Sequence, residues 1–246
     1  MITKTQNYKP VKNLLSKGST NSKTAKNNIE TYILYLSPER QNSKGVNLCP
    51  KASKGCAAAC LYTAGRGKFT NVKASRINKS EYYINDKKIF INQLSNELLK
   101  IAAKSIKQNK KIAIRLNGTS DQDFISIIKK YNNLDLLNDK QFKNLVFYDY
   151  TAILGKIKKY INTSYSLTLS RKEDNESDIL QALQLGGNVA AVFRDELPTT
   201  YKGFEVVDGD KSDLEMIYNK NVILGLKAKG EAKKDKSGFV IDVNLN

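Results

Sequence analysis

Between Ile112 and Phe193 the chain repeats one pattern, a short β-rich run followed by a helical stretch, and this alternation restricts the fold more than any other feature. The runs Ile112–Leu116 (IAIRL), Leu145–Tyr148 (LVFY), Tyr165–Leu169 (YSLTL) and Val189–Phe193 (VAAVF) have the length and composition of strands. Phe124–Tyr131, Ala152–Ile161 and Ser177–Leu185 supply helices between them, and Gly186-Gly187 ends the last. Strands separated by helices pair in parallel, because the helix is the crossover that brings the chain back to the same end of the sheet. The chain is therefore predicted to be α/β, with a partial or complete (β/α) barrel-like parallel sheet. Upstream, Thr31–Leu36 (TYILYL), closed by Ser37-Pro38, predicts the first strand. One helix follows around Val72–Tyr83, then another in which Phe90, Leu94, Leu98, Ile101 and Ala102 mark one apolar face and Asp86 stands at the N-cap. Phe204–Val207, Val222–Lys227 and Phe239–Val243 predict a strand-rich C-terminal part, and residues 29–246 read as a single domain.

The loop after the first predicted strand holds every cysteine in the chain: Cys49, Cys56 and Cys60, within NLCPKASKGCAAACLYTAGRG. Three thiols cannot all pair in disulfides, so a shared metal is the functional reading of the cluster. Thiolates suit zinc or an iron–sulfur cluster. The chain has no histidine, so a tetrahedral zinc would need a carboxylate as its fourth ligand. An iron–sulfur cluster of the 4Fe-4S kind would instead leave one iron open to substrate or cofactor. The plainer alternative is three small thiols lining a turn. Arg76 and Lys79, three apart on the first helix, share a face able to turn toward this loop.

Forty-one Lys and Arg against 24 Asp and Glu give a net charge of +17, which favours polyanionic partners such as nucleic acid or phosphorylated small molecules. The same excess is what a Lys-, Asn- and Ile-rich composition produces on its own. Residues 1–28 carry Lys but no acidic residue and read as a basic flexible arm. Within it Gly18–Lys26 is rich in small and hydroxyl residues but lacks the full nucleotide-binding P-loop pattern. No apolar run is long enough to span a membrane, and the N-terminus has no signal-peptide core, so a cytoplasmic location is expected.

In parallel α/β folds the reactive groups collect where strands end at their carboxyl side. The first helix-covered strand carries Arg115 and runs into Asn117, Gly118, Ser120 and Asp121; the next ends in Asp149, and the third in Arg171. Later come Asp208, Asp210 and Lys227. Asp121, Asp149, Arg115 and Arg171 are the candidate catalytic residues, and Asp121 is the first choice for a fourth metal ligand. Asn117, Gly118, Ser120, Asp208, Asp210 and Lys227 are candidates for holding a cofactor. Without histidine, acid–base work falls to Asp, Glu, Lys or Tyr.

The ordered segments LCPKASKGCAAACLYTAGRG, RLNGTSD, FYDYT, YSLTLS, VAAVF, VVDGD and LGLKAKG resemble a bacteriophage and prophage protein family. The resemblance implies a phage or mobile-element origin and a place in the host cytoplasm. Relatives often carry Lys after YDYT, where this chain has Ala152. More distantly, the layout is similar to radical-SAM enzymes, which place a three-cysteine cluster loop between the first strand and first helix of a partial barrel; that similarity implies S-adenosylmethionine as a cofactor. The spacing C-x6-C-x3-C departs from the tighter spacing typical of those enzymes. Two functions follow. One is an enzyme using a three-cysteine centre on a small molecule or nucleotide; the other is a nucleic-acid-binding phage protein in which the metal only staples the loop.

Overall fold

The computed structural model describes residues 8–18, 29–60, 62, 65–212 and 214–245. In chain order the elements are β1 (Leu15–Lys17), β2 (Glu30–Leu34), α1 (Lys54–Ala58), α2 (Thr70–Asn85), α3 (Lys87–Gln108), β3 (Ile112–Arg115), α4 (Phe124–Asn132), β4 (Leu145–Thr151), α5 (Leu154–Tyr160), β5 (Ser166–Ser170), α6 (Glu176–Gln184), β6 (Asn188–Phe193), β7 (Thr200–Tyr201), β8 (Phe204–Asp208), α7 (Glu215–Tyr218), β9 (Ile223–Lys227) and β10 (Val240–Ile241). They form one ten-stranded sheet in the order β1-β2-β3-β4-β5-β6-β9-β8-β7, with β10 beside β6. From β2 to β8 every neighbouring pair is parallel. The α/β expectation is met by the open form of the predicted architecture. The sheet does not close, because each end carries an antiparallel strand, β1 on β2 and β7 on β8.

Strands β2 to β6 are neighbours in the sheet in the order they occur in the chain, so crossovers of one hand place their helices on one face. The two faces separate cleanly in sequence. Ile112, Ile114, Phe147, Leu167, Leu169, Val189 and Ala191 pack with the apolar faces of α3, α4, α5 and α6. The alternating residues Ala113, Tyr148, Ala190 and Leu224 pack on the other face with Leu214, Met216 and Val222, from α7 and its flanks. The predicted apolar stripe of α3 is buried as expected, with Phe90, Leu94 and Leu98 fully enclosed. Asp86 does stand at the N-cap of α3, but its carboxylate accepts from Tyr8 Oη (2.8 Å) rather than from the helix.

The N-terminal segment departs from the reading as a free arm wherever it is described. Leu14 and Leu15 are buried, β1 pairs with β2, and Tyr8 stacks on Tyr82 with ring centroids 4.7 Å apart. Glu97 accepts the N–H groups of Leu14 (2.8 Å) and Leu15 (2.9 Å), and the buried Lys79 ammonium donates to the Leu14 carbonyl (2.7 Å). Two leucines among the lysines are enough to dock the segment, because each buried side chain contributes about 2 kcal/mol. Residues 19–26 of the phosphate-friendly stretch lie outside the described residues. Leu14→Ala should therefore cost about 2–4 kcal/mol in chemical denaturation. A change below about 0.5 kcal/mol, the range of surface substitutions, would show that the segment is not docked.

Candidate functional site

Because eight parallel strands share one direction, their carboxyl ends form one rim, and the cysteine loop lies across it. At the near end, the Leu48 carbonyl accepts from Asp121 N–H (2.9 Å) and from Gln122 Nε2 (3.1 Å), and the Cys49 thiol points at the Thr119 carbonyl (3.7 Å). In the middle, Glu173, just beyond β5, accepts from Ser53 Oγ (2.6 Å) and Gly55 N–H (2.7 Å). Ser53 is the N-cap of α1 and accepts from Cys56 N–H (3.1 Å), so one carboxylate fixes the turn that carries the second cysteine. At the far end Ala59 packs with Ala228, Ala232 and Val240, which follow β9 and form β10. Gly55 is required there: a Cβ would stand 2.8 Å from Phe239 Cβ.

The three thiols face one another closely enough to interact electrostatically, Cys56 with both Cys49 and Cys60, and Cys49 with Cys60. Burial pushes Cys49 and Cys56 up to about 12, with the neighbouring thiols adding to the shift. Burial also raises Cys60, but there the Tyr62 N–H and the Arg76 guanidinium act in the opposite direction. Backbone N–H groups thus serve two of the sulfurs, Glu39 N–H at Cys49 and Tyr62 N–H at Cys60. No group of three or more Cys, Asp or Glu among the described residues is drawn together tightly enough to hold an ion as it stands. The donor set itself fits a thiophilic centre, being three soft ligands with N–H groups directed at two of them.

Asp121 sits beside Cys49, as the search for a fourth ligand requires, but its carboxylate is already engaged. It accepts from Lys156 Nζ (2.6 Å), Thr151 Oγ1 (2.9 Å) and Ala152 N–H (2.8 Å), which bolts the β3 loop to the end of β4. The carboxylate left beside the thiols is Glu39, near both Cys49 and Cys60. Its own backbone lies in the left-handed region at φ 50°, unusual for a residue other than Gly or Asn. Sequence reading passed over Glu39, although a Ser-Pro-Glu-Arg turn ahead of the cysteines was its only signal.

The remaining candidates divide into three groups. Asp149 is fully buried and accepts from Leu116 N–H (3.1 Å), Asn117 N–H (2.9 Å) and Tyr165 Oη (2.8 Å), with Arg115 Nε 3.7 Å away. Asn117 Oδ1 in turn accepts from Ser120 Oγ (3.1 Å) and Gln122 N–H (2.8 Å), and Gly118 lies so close to β2 that a Cβ would meet the Tyr35 ring at 2.5 Å. These residues shape the rim under the loop. Arg171 donates to the carbonyls of Gly238 and Phe239 and anchors the chain before β10. Asp208, Asp210 and Lys227 bond to one another at the ends of β8 and β9: Asp208 accepts from Asp210 N–H (2.9 Å), and Asp210 accepts from Lys227 N–H (3.0 Å) and Lys229 Nζ (2.7 Å). No hydrogen bond or ion pair among the described residues links that last group to the thiols.

Arg76 completes the site from α2. That helix buries Arg76, Lys79, Ser80 and Glu81 as well as Tyr82 and Tyr83. Lys79 turns away to the N-terminal segment, whereas Arg76 faces Cys60 and packs on the rings of Tyr35 (4.8 Å) and Tyr62 (5.5 Å). Beside the loop an open cleft of about 450 Å³ lies between Pro50, Lys51, Ala152, Leu154, Lys172 and Asp178.

Fold and rim together define an open, mostly parallel α/β protein that carries a thiol-bearing loop across its strand ends. The chain belongs to the Gene product 88 family, a phage-type family whose model matches residues 5–243. No curated protein and no solved structure matches it.

Burial raises Asp149 to about 6, against the opposing pull of Arg115 and the Tyr165 and Asn117 hydrogen bonds. Its folded value lies above the ordinary carboxylate value, so the folded state keeps a proton that the unfolded chain has lost. Its contribution to stability is full below about pH 4 and is lost as pH rises to about 6, with a slope of up to about 1.4 kcal/mol per pH unit. Asp149→Asn should flatten the stability profile in that window, measured by urea unfolding at a series of pH values. An unchanged slope in the variant would assign the titration to another group.

Proposed function

We propose that the protein is a metal-dependent enzyme whose centre, an iron–sulfur cluster or a zinc ion, is held by Cys49, Cys56 and Cys60 and acts on a small molecule or nucleotide. The observation that carries this reading is the gathering of all three thiols on a loop clamped across the carboxyl ends of a parallel sheet. A loop that only needed small side chains would not require a carboxylate clamp and N–H donors at two sulfurs. Binding deprotonates the thiols and draws the loop inward, since a metal displaces the protons that burial otherwise holds on. In this reading Glu39, the carboxylate near Cys49 and Cys60, would complete a tetrahedral zinc; left uncoordinated, it would flank the open position of a cluster.

Anaerobic purification with metal analysis and a visible spectrum tests this directly. Stoichiometric metal should be present, and Cys49→Ala, Cys56→Ala and Cys60→Ala should each lose it. Full occupancy in two of the three variants would refute a shared centre. A brown protein whose absorbance shifts with S-adenosylmethionine supports a radical-enzyme chemistry, whereas a colourless zinc protein indifferent to it moves the reading to a structural staple.

A second reading, polyanion binding, has an observation of its own. Between Lys87 and Ile161, which covers α3, α4 and α5, fifteen Lys and Arg stand against six Asp and Glu. Lys100, Lys107, Lys110, Lys129, Lys130, Lys158 and Lys159 are exposed there, on the helix layer. Binding to DNA or RNA through this layer should fall steeply with salt, as counterions are released, and changing Lys107, Lys110 and Lys130 to Gln should reduce the slope of log affinity against log salt by roughly 2–3. No binding at about 50 mM salt would leave the charge compositional.

A further inference from the structure

We propose that the Arg76 guanidinium, packed against the rings of Tyr35 and Tyr62 beside Cys60, receives the oxyanion of a small ligand, a phosphate or carboxylate group. Arg76 is 9% exposed, and its Nε and Nη1 are buried without any hydrogen-bond partner. Its electrostatic neighbours are the two tyrosines, the Cys60 thiol and the Lys79 ammonium, with no carboxylate among them. A buried cation without an anion is costly, and chains normally pair it or leave it out. Other part-buried cations at the rim are engaged: Lys156 with Asp121 (2.6 Å), Lys172 with Asp174 (2.8 Å), Arg194 with Asp242 (3.0 Å), and Arg171 with two carbonyls. Arg76 is thus a buried cation at the rim whose charge the described residues leave unanswered.

The packing shows what kind of ligand suits it. The guanidinium carbon lies over the rings of Tyr35 and Tyr62, and N–H groups in the guanidinium plane match the two oxygens of a phosphate or carboxylate. Tyr35 is itself held over Gly118, so the β3 loop fixes one wall of the subsite, and Tyr62 lies two residues after Cys60, so the thiol loop supplies the other. A ligand held there by its anionic end would present its other end to the thiols. This rests on the metal-centre reading for what the ligand meets beyond Arg76, but not for the anion subsite itself.

The test uses the full chain, wild type, Arg76→Gln and Arg76→Lys, titrated calorimetrically with inorganic phosphate and with acetate against chloride at matched ionic strength. Metal content is measured in every sample. Saturable binding of phosphate or acetate is expected in the wild type, at least about tenfold weaker in Arg76→Gln, as loss of one charge-assisted hydrogen bond produces, and intermediate in Arg76→Lys. Preference for phosphate indicates a phosphorylated ligand, and preference for acetate a carboxylate. In chloride alone Arg76→Gln should be at least as stable as the wild type, because it removes an uncompensated charge. Absence of saturable binding, or equal binding in Arg76→Gln, overturns the subsite, as does a large loss of stability in Arg76→Gln, which would give the arginine a packing role. Metal-loaded wild type without an anion response overturns the subsite and leaves the metal centre standing. An anion response in protein that takes up no metal does the reverse.

Discussion

The structure depends on one constraint, that β2 to β6 lie side by side in chain order and run parallel. Each crossover must then climb back along the same face, so α3, α4, α5 and α6 form a single layer that buries one side of the sheet. Among the described residues, the short α7 and its flanks pack on the other side. The loops that follow the strands emerge together, and a segment laid across them touches many strands at once. The cysteine loop does this: it is tied to the end of β3 through Leu48, to the segment after β5 through Glu173, and to the chain around β9 and β10 through Ala59. A loop held at three separate places on a rigid rim can hold a reactive group in fixed geometry, which a free loop of that length cannot.

What sequence made legible follows from what leaves a periodic trace. The strands β3 to β6 announce themselves because each is a compact run of β-branched and aromatic residues, and α3 because Phe90, Leu94, Leu98 and Ala102 recur on one face. The docking of Leu14 and Leu15 left no such trace: three residues of strand among lysines carry no period, and their burial depends on Lys79 and Glu97 arriving from helices 65 and 83 residues away. The open ends of the sheet were equally hidden, since β7 is two residues long. Helix α1 lay inside the cysteine segment, where KGCAA has no amphipathic pattern.

The candidate site was half legible for a related reason. Cysteines cluster visibly, and strand-end polar residues can be found by counting from the strands. Which of those polar residues are structural depends on their partners, and partners come from elsewhere in the chain. Asp149, a candidate catalytic residue, and Asn117, a candidate for holding a cofactor, are acceptors that tie β3, β4 and the loop from Leu116 to Gln122 together. Asp121 looked like a ligand and is the anion of a buried ion pair with Lys156. Arg76 and Glu39 carried weaker signals, one within a polar helix and one in a turn, yet each lies beside the thiols.

The polar burial of α2 ties these threads together. A helix that places Arg76, Lys79, Ser80 and Glu81 inside the protein beside Tyr82 and Tyr83 gives up part of the hydrophobic stabilisation an ordinary helix would contribute, and three of the four polar residues have an evident compensation. Lys79 holds the Leu14 carbonyl, Ser80 binds Ser37, and Glu81 accepts from Ser43. Arg76 alone among them lacks one, and it lies beside thiols that are themselves neutral because burial suppresses their ionisation. A cation without an anion and three acids without a reason to ionise are complementary deficits. In the proposed reading both are met together: three thiolates around a divalent ion, or around a cluster core of the same charge, leave one net negative charge, which the guanidinium answers while Glu39 stays uncoordinated and no ligand anion is bound. The internal charge of the rim is then balanced only when the site is loaded, so loading should stabilise the loop, α2 and the strand ends as one unit.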